Sequence, residues 1–278
     1  QMGLPVAAGL ASQGLEVHAF DREPTRVALA VARGARAGAH FDALDMVLSL
    51  LPNDASAGFF CGELLASGYR GIHACLGTLG VATAQALQAA HAQAGAAFIA
   101  CPVFGRPDEA WERDLTAVFG PSPAAGAQDV ETARSVIALL APRLHEVPSP
   151  AAACAAKLAG NQLIATAIAA MTECFGLAQA HGVAPPVLHA IVTGKLFKGP
   201  VYEGVGRMLA GTVPPPEPPG FTLHLGLKDV RLCAEAAAGA GHAMPVADAV
   251  RTRLAQVVAA GHGDHDWADL PRRLTSLE

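Results

Sequence analysis

The sequence predicts an α/β fold followed by an all-helical region, and three observations carry that prediction. Short β-type runs alternate with Ala-rich helical stretches from Gly3 to about residue 147, the order that builds a parallel sheet covered by helices. The β signal stops after Pro148-Ser149-Pro150, and long helical patterns follow. Of the 278 residues, 52% are hydrophobic and only 15% charged, which supplies apolar material for a sizeable core.

Strands are expected at Leu15–Asp21, Met46–Leu51, Gly71–Leu76, Ala97–Cys101, Leu115–Phe119 and Leu144–Val147, with helical patterns such as Val81–Gln93 and Val130–Leu140 between them. A boundary near 148–151 gives domains 1–149 and 150–278. Within the second domain the helices break at Ala184-Pro185-Pro186 and at the loop 214–220, where consecutive prolines cannot sustain a helix.

Composition excludes several classes. A net charge of −5 with no Lys/Arg block gives nucleic acid or an anionic membrane little to hold. Cys61, Cys75, Cys101, Cys154, Cys174 and Cys233 are scattered singly, without metal-ligand spacing, as suits reduced thiols in a cytosol. The longest uncharged apolar stretch, Leu158–Thr172, is too short to span a bilayer, and no signal peptide is visible. A soluble, cytoplasmic chain is expected. His262, Asp264, His265 and Asp266 near the end read either as a metal site or as solvated polar residues, and the second is preferred.

Gly3 opens a helical stretch that runs to Gly14, and the next strand ends at Asp21. In a Rossmann unit the third glycine of G-x-G-x-x-G opens a helix and an acidic residue follows about 20 positions on. On that reading a hydrophobic first strand and two further glycines belong immediately before Gln1. The alternative is an ordinary helix N-terminus followed by a turn. Asp21 favours NAD, because a strand-end carboxylate bonds the ribose hydroxyl and repels a 2′-phosphate. Arg22, with Arg26 one turn on, leaves NADP open; the reading leans to NAD.

Residues 157–161, Lys-Leu-Ala-Gly-Asn, place an amine and an amide on one face of an apolar helix. Lys157 is the only charged side chain from Ala151 to Ala170. An ammonium facing apolar neighbours is costly unless something there needs it. The alternative is a surface lysine that snorkels to water.

Taken together, Gln1-Met2-Gly3, Asp21-Arg22, Leu50-Leu51-Pro52, Cys101-Pro102-Val103-Phe104-Gly105, Lys157-x-x-x-Asn161 and Lys228-Asp229 stand in register with one family. The chain resembles the β-hydroxyacid dehydrogenases, which include 3-hydroxyisobutyrate dehydrogenases, tartronate semialdehyde reductases and the N-terminal domain of 6-phosphogluconate dehydrogenase. The resemblance runs through the closing segment 261–267. It implies a Rossmann domain, a long interdomain helix carrying the catalytic lysine, and a helical domain that builds a homodimer. It implies hydride exchange between NAD or NADP and a small hydroxy acid or related alcohol. Lys157 would be the general acid/base, with Asn161 fixing geometry. Met2, Gly3, Asp21, Arg22, Leu51, Pro52, Thr78, Phe221, Lys228 and Asp229 would meet the cofactor, and Phe104, Gly105 and Arg106 the substrate.

The departures are equally specific. The family's Ser-Gly-Gly after Pro-Val is Phe104-Gly105-Arg106 here, so a serine hydroxyl is lost. Its glycine-rich approach to the lysine is replaced by Pro150-Ala151-Ala152-Ala153-Cys154-Ala155, and its Ser-Thr pair by Gly77-Thr78. The loss of the hydroxyl and the gain of an aromatic ring at Phe104 point to a substrate larger and less polar than 3-hydroxypropionate or tartronate semialdehyde. Two rivals remain: an imine reductase, disfavoured by a lysine at the proton-donor position, and a non-catalytic dinucleotide-binding module used for dimerisation.

Overall fold

A computed structural model describes residues 2–38 and 40–275, so that Gln1 lies outside the described residues. The chain divides into two units, Gln1–Lys157 and Leu158–Glu278.

In the first unit α1 (Gly3–Ser12) precedes β1 (His18–Ala19), α2 (Pro24–Val31) and β2 (Arg36–Ala37). β1 and β2 form a separate two-stranded parallel ladder. The strand expected over Leu15–Asp21 therefore shrinks to the two residues that β2 flanks. There follow β3 (Met46–Ser49), α3 (Asp54–Ala66), β4 (Ile72–Cys75), α4 (Val81–Ala94) and β5 (Ala97–Ala100). β3, β4 and β5 pair in parallel. Every residue of β4 and β5 is buried, because helices cover both faces of such a sheet.

The remaining elements are β6 (Val103–Phe104), α5 (Pro107–Glu112), β7 (Thr116–Pro121), α6 (Ala127–Ala138) and β8 (Arg143–Glu146). Here the all-parallel expectation fails: β7 runs antiparallel to β5 and β6, while β8 is parallel to β7. The pairs Ile99–Pro121, Ala100–Gly120, Val103–Ala117 and Phe104–Thr116 share one register. β5 and β6 thus act as one strand that β7 folds back upon, with the Val118 amide bonded to the Pro102 carbonyl across the junction at 3.0 Å. A parallel return needs a long helical crossover. α6 supplies one between β7 and β8; the six-residue α5 does not.

One polar chain crosses this core. The Leu87 carbonyl lies 2.7 Å from His91 Nδ1 and can only accept, so Nδ1 carries the proton. His91 Nε2 then accepts from His73 Nδ1 at 2.9 Å, and His73 Nε2 accepts from the Ser49 hydroxyl at 2.9 Å. Both rings are neutral. Burial, aided by the neighbouring His91, pushes His73 down to about 3, and burial lowers His91 against the pull of the Leu87 carbonyl. In the unfolded chain both take up a proton near 6.5. The pair's contribution to stability is therefore complete above about pH 6.5 and is lost as the pH drops towards 3, because the unfolded state holds more protons over that range. The urea midpoint should decline between pH 7 and 4, and less steeply in His73→Phe/His91→Leu; equal slopes would show that the pair does not carry the effect.

α7 (Pro150–Ala180) begins in the first unit and continues into the second, which adds α8 (Pro185–Lys195), α9 (Gly206–Leu209), α10 (Leu223–Gly239), α11 (Pro245–Val257) and α12 (Leu270–Thr275). Pro185 and Pro245 open their helices, where the missing N–H is no loss. The core of the second unit gathers Ile168, Met171, Phe175, Leu223, Leu227, Val230, Leu254, Val257 and Trp267.

The apolar stretch Leu158–Thr172 lies within a longer helix. α7 has 31 residues and mean hydropathy 1.4 in its most apolar window, long and apolar enough to cross a membrane by length and composition. Lys157 does not interrupt the helix, which extends beyond Leu158–Thr172 in both directions. Its inner face nevertheless carries buried polar groups, Asn161 and Gln162 among them.

Candidate active site

The loops named by the sequence leave the C-terminal ends of strands in the first unit, where α/β sheets bind ligands. Beyond β1, Asp21 Oδ1 accepts the Glu23 amide at 2.9 Å and Oδ2 lies 3.8 Å from Arg26. The Arg22 guanidinium sits over the Phe59 ring, 5.4 Å from its centroid. Beyond β3 and β4, Leu51 and Gly77 approach so closely that a Cβ on Gly77 would stand 2.9 Å from the Leu51 carbonyl oxygen. Only glycine brings the Gly77-Thr78 and Leu51-Pro52 loops together. Asp54, which the sequence reading passed over, ties the starts of α3 and α4 by accepting from the Gly80 amide at 3.2 Å and the Thr83 hydroxyl at 2.6 Å.

These residues fit a dinucleotide. The first turn of α1 has no side-chain cap and no acidic residue, and a Cβ on Gly3 would meet nothing within 4 Å. Its amides suit an anion and its backbone admits close approach. Met2 packs against the sheet core beside them.

Further along the first unit, Phe104 ends β6 and Gly105 follows at φ 145°, where a Cβ would collide with the buried Leu115. The Arg106 amide donates to Glu109 Oε2 at 2.7 Å, which starts α5. The Lys157 ammonium lies over the Phe104 ring, 3.8 Å from the centroid, and the residue is 8% exposed. The quadrupole of the ring offsets part of what burial costs the cation. The sequence named both residues but gave no sign that they touch. Cys154, one turn before Lys157, is a core thiol pushed up to about 12 by burial.

In the second unit Asn161 Nδ2 donates to Asp229 Oδ2 at 2.5 Å, and Lys228 Nζ lies 3.0 Å from Asp229 Oδ1. Asp229 is 2% exposed, its carboxylate turned to these two partners. Asp266 accepts from the Gly220, Phe221 and Ala268 amides, and the Trp267 ring packs at a tilt of 52° against Phe221 with centroids 4.4 Å apart. The closing segment therefore clasps the entry to α10, a role that its alternating polar pattern did not reveal. Among the described residues no group of three His, Cys, Asp or Glu converges as a metal site.

Comparison with known proteins places these features in a family. The model for the NAD-binding domain of 6-phosphogluconate dehydrogenase matches residues 1–147, and that for the NAD-binding of NADP-dependent 3-hydroxyisobutyrate dehydrogenase matches 151–274. An uncharacterized oxidoreductase of Bacillus subtilis, YfjR, is 30% identical over 97% of this chain and 95% of its own. A 2-(hydroxymethyl)glutarate dehydrogenase of Eubacterium barkeri is 29% identical over 84% of this chain and 79% of its own. In fold, the chain matches the solved 3-hydroxyisobutyrate dehydrogenase of Mycobacterium tuberculosis with a TM-score of 0.86 and 24% identity, covering 98% of this chain and 95% of that one. The chain belongs to the β-hydroxyacid dehydrogenase family and is an NAD(P)-dependent dehydrogenase.

Proposed function

We propose that the protein interconverts a small hydroxy acid with its carbonyl form, with Lys157 as the proton-transfer residue. The carrying observation is a buried ammonium seated on an aromatic ring, one helical turn before a buried amide. Oxidising an alcohol requires a group that takes the hydroxyl proton, and in the reverse direction the same group polarises the carbonyl. The bound nicotinamide supplies the hydride chemistry. Lys157 holds or releases a proton at Nζ, and Asn161 fixes the hydroxyl that gives it up. Gly3, Asp21, Arg22, Leu51, Pro52 and Thr78 would hold the dinucleotide. Asp21 gives the preference to NAD, and Arg22 with Arg26 keeps NADP within reach. A panel of hydroxy acids and their carbonyl partners, run with each cofactor, tests the reading; no turnover with any of them would reject it.

Phe104 shapes the choice among these acids. It stands where the family offers a serine hydroxyl, so the pocket loses a donor and gains an apolar wall. A site that hydrogen-bonds its substrate discriminates strongly, whereas an apolar wall rewards bulk modestly. The preferred substrate is accordingly larger and less polar than 3-hydroxypropionate or tartronate semialdehyde, with Gly105 and Arg106 beside it. Phe104→Ser should raise kcat/KM for the small polar acids relative to the preferred one by about 10-fold, the scale of a single pocket contact. An unmoved ratio would remove Phe104 from the pocket.

A cytoplasmic homodimer completes the proposal. The second unit exposes Leu163, Leu177, Val187, Ile191 and Leu196 on α7, α8 and the turn after α8. These exposed side chains are the ones proposed to pack against a second copy of the chain.

A further inference from the structure

We infer that Asp229 is the positioning residue that sets which side of the Asn161 amide faces a substrate, an inference that rests on the proton-transfer reading above. Asp229 lies 2% exposed on α10, and such a carboxylate is tolerated only when paired. Lys228 supplies the charge at 3.0 Å and Asn161 Nδ2 a hydrogen bond at 2.5 Å. A carboxylate only accepts, so Asn161 must present its NH2 group to it; the flipped amide would set two acceptors against each other. The negative charge at 229 therefore decides the orientation of an amide far away in sequence.

The consequence is chemical. With Nδ2 committed to Asp229, the other branch of the planar amide, Oδ1, is the acceptor that Asn161 keeps for its second neighbour. A substrate hydroxyl is a donor to such an oxygen, and holding it there aims its proton. A neutral amide at 229 would serve either orientation of Asn161, because it both donates and accepts. Asn161 would then offer a donor to the hydroxyl for part of the time, and misplacement on this scale lowers turnover.

The test uses the full chain and three variants, Asn161→Asp, Asp229→Asn and the exchanged pair Asn161→Asp/Asp229→Asn. The first readout needs no turnover: the side-chain amide proton signals of Asn161, identified by their absence in the Asn161→Asp chain. They should exchange slowly with solvent in the wild type and shift and exchange faster in Asp229→Asn. The second readout is kinetic. Asp229→Asn should lose kcat by roughly 10- to 100-fold per folded enzyme with cofactor KM little changed. The exchanged pair should recover at least several-fold of that loss, because the carboxylate moved to position 161 accepts from the amide moved to 229 and still turns an acceptor outward. It also retains the pair should Asp229→Asn fold poorly. Unaltered Asn161 amide signals in Asp229→Asn, wild-type kcat in that variant, or an exchanged pair that recovers stability without turnover would each overturn the inference. A wild type that turns over no hydroxy acid would instead defeat the functional reading, while the amide signals would still decide the pairing.

Discussion

Lys157→Ala should lower kcat by on the order of 10²–10⁴, the usual scale for removing a general acid or base. Binding of NADH and NADPH should change little, since in the proposed role the side chain contributes to the transition state and not to holding the dinucleotide. Two effects of the substitution need separating, because Lys157 is the proposed proton carrier as well as the cation on the Phe104 ring. Lys157→Arg separates them. Arginine keeps the charge and stacks on an aromatic face, yet it stays protonated throughout the accessible pH range. If proton transfer is the role, the arginine variant should fold like the wild type and turn over almost as slowly as the alanine variant. Steady-state rates on the preferred substrate, with cofactor dissociation constants alongside, decide it. Near-wild-type kcat in either variant would end the assignment.

The largest expected effect on stability comes from a single methyl group. Gly120 lies in β7, and a Cβ there would overlap the Ser149 carbonyl oxygen and stand 2.8 Å from the Ala153 side chain. Neither neighbour can give way readily. The Ser149 oxygen accepts the Ala153 amide at 3.0 Å in the first turn of α7, so moving it breaks the start of that helix. Gly120→Ala should cost about 1–3 kcal/mol or more, the range for overpacking a closed contact. At about 2–4 °C per kcal/mol, that is a clear fall in Tm. Gly58→Ala is the control: it sits on the exposed side of α3 with nothing within 4 Å of its would-be Cβ. Alanine should be neutral or stabilising there by up to about 1 kcal/mol. Equal Tm values for the two variants would show that the β7–α7 contact is looser than described.

What could be seen in the sequence follows from what periodicity records. Runs such as Met46–Leu51 and Ala97–Cys101 are apolar because both faces of the sheet are covered, so β3 and β5 stood out with ends one or two residues too long. The Lys157 and Asn161 pair was legible because four residues on a helix is a local distance. β2 and β6 were not, since a strand of two residues has no period to detect. The reversal of β7 also escaped, because strand direction depends on the length of the connection and not on the strand itself. The Phe104–Lys157 and Asn161–Asp229 contacts join residues remote in the chain, and no local pattern encodes such a meeting. Asp54 and Asp266 look like ordinary surface acids until the backbone amides they accept are in view.

The single register that runs from β5 through Pro102 to β6 bears on how specificity can evolve. Phe104 is the last residue of that zipped strand, its Cα fixed opposite Thr116 by the pairing. A slip of one residue would throw its side chain to the other face, so the ladder resists drift at this position. The side chain itself is not constrained in that way. A lineage can therefore exchange a hydroxyl for a ring at position 104 by point mutation while the backbone beside the amine stays where it was. With Phe104 as the proposed pocket wall, selection for new substrates would act on one interchangeable side chain mounted on a rigid edge, and would need no remodelled loop.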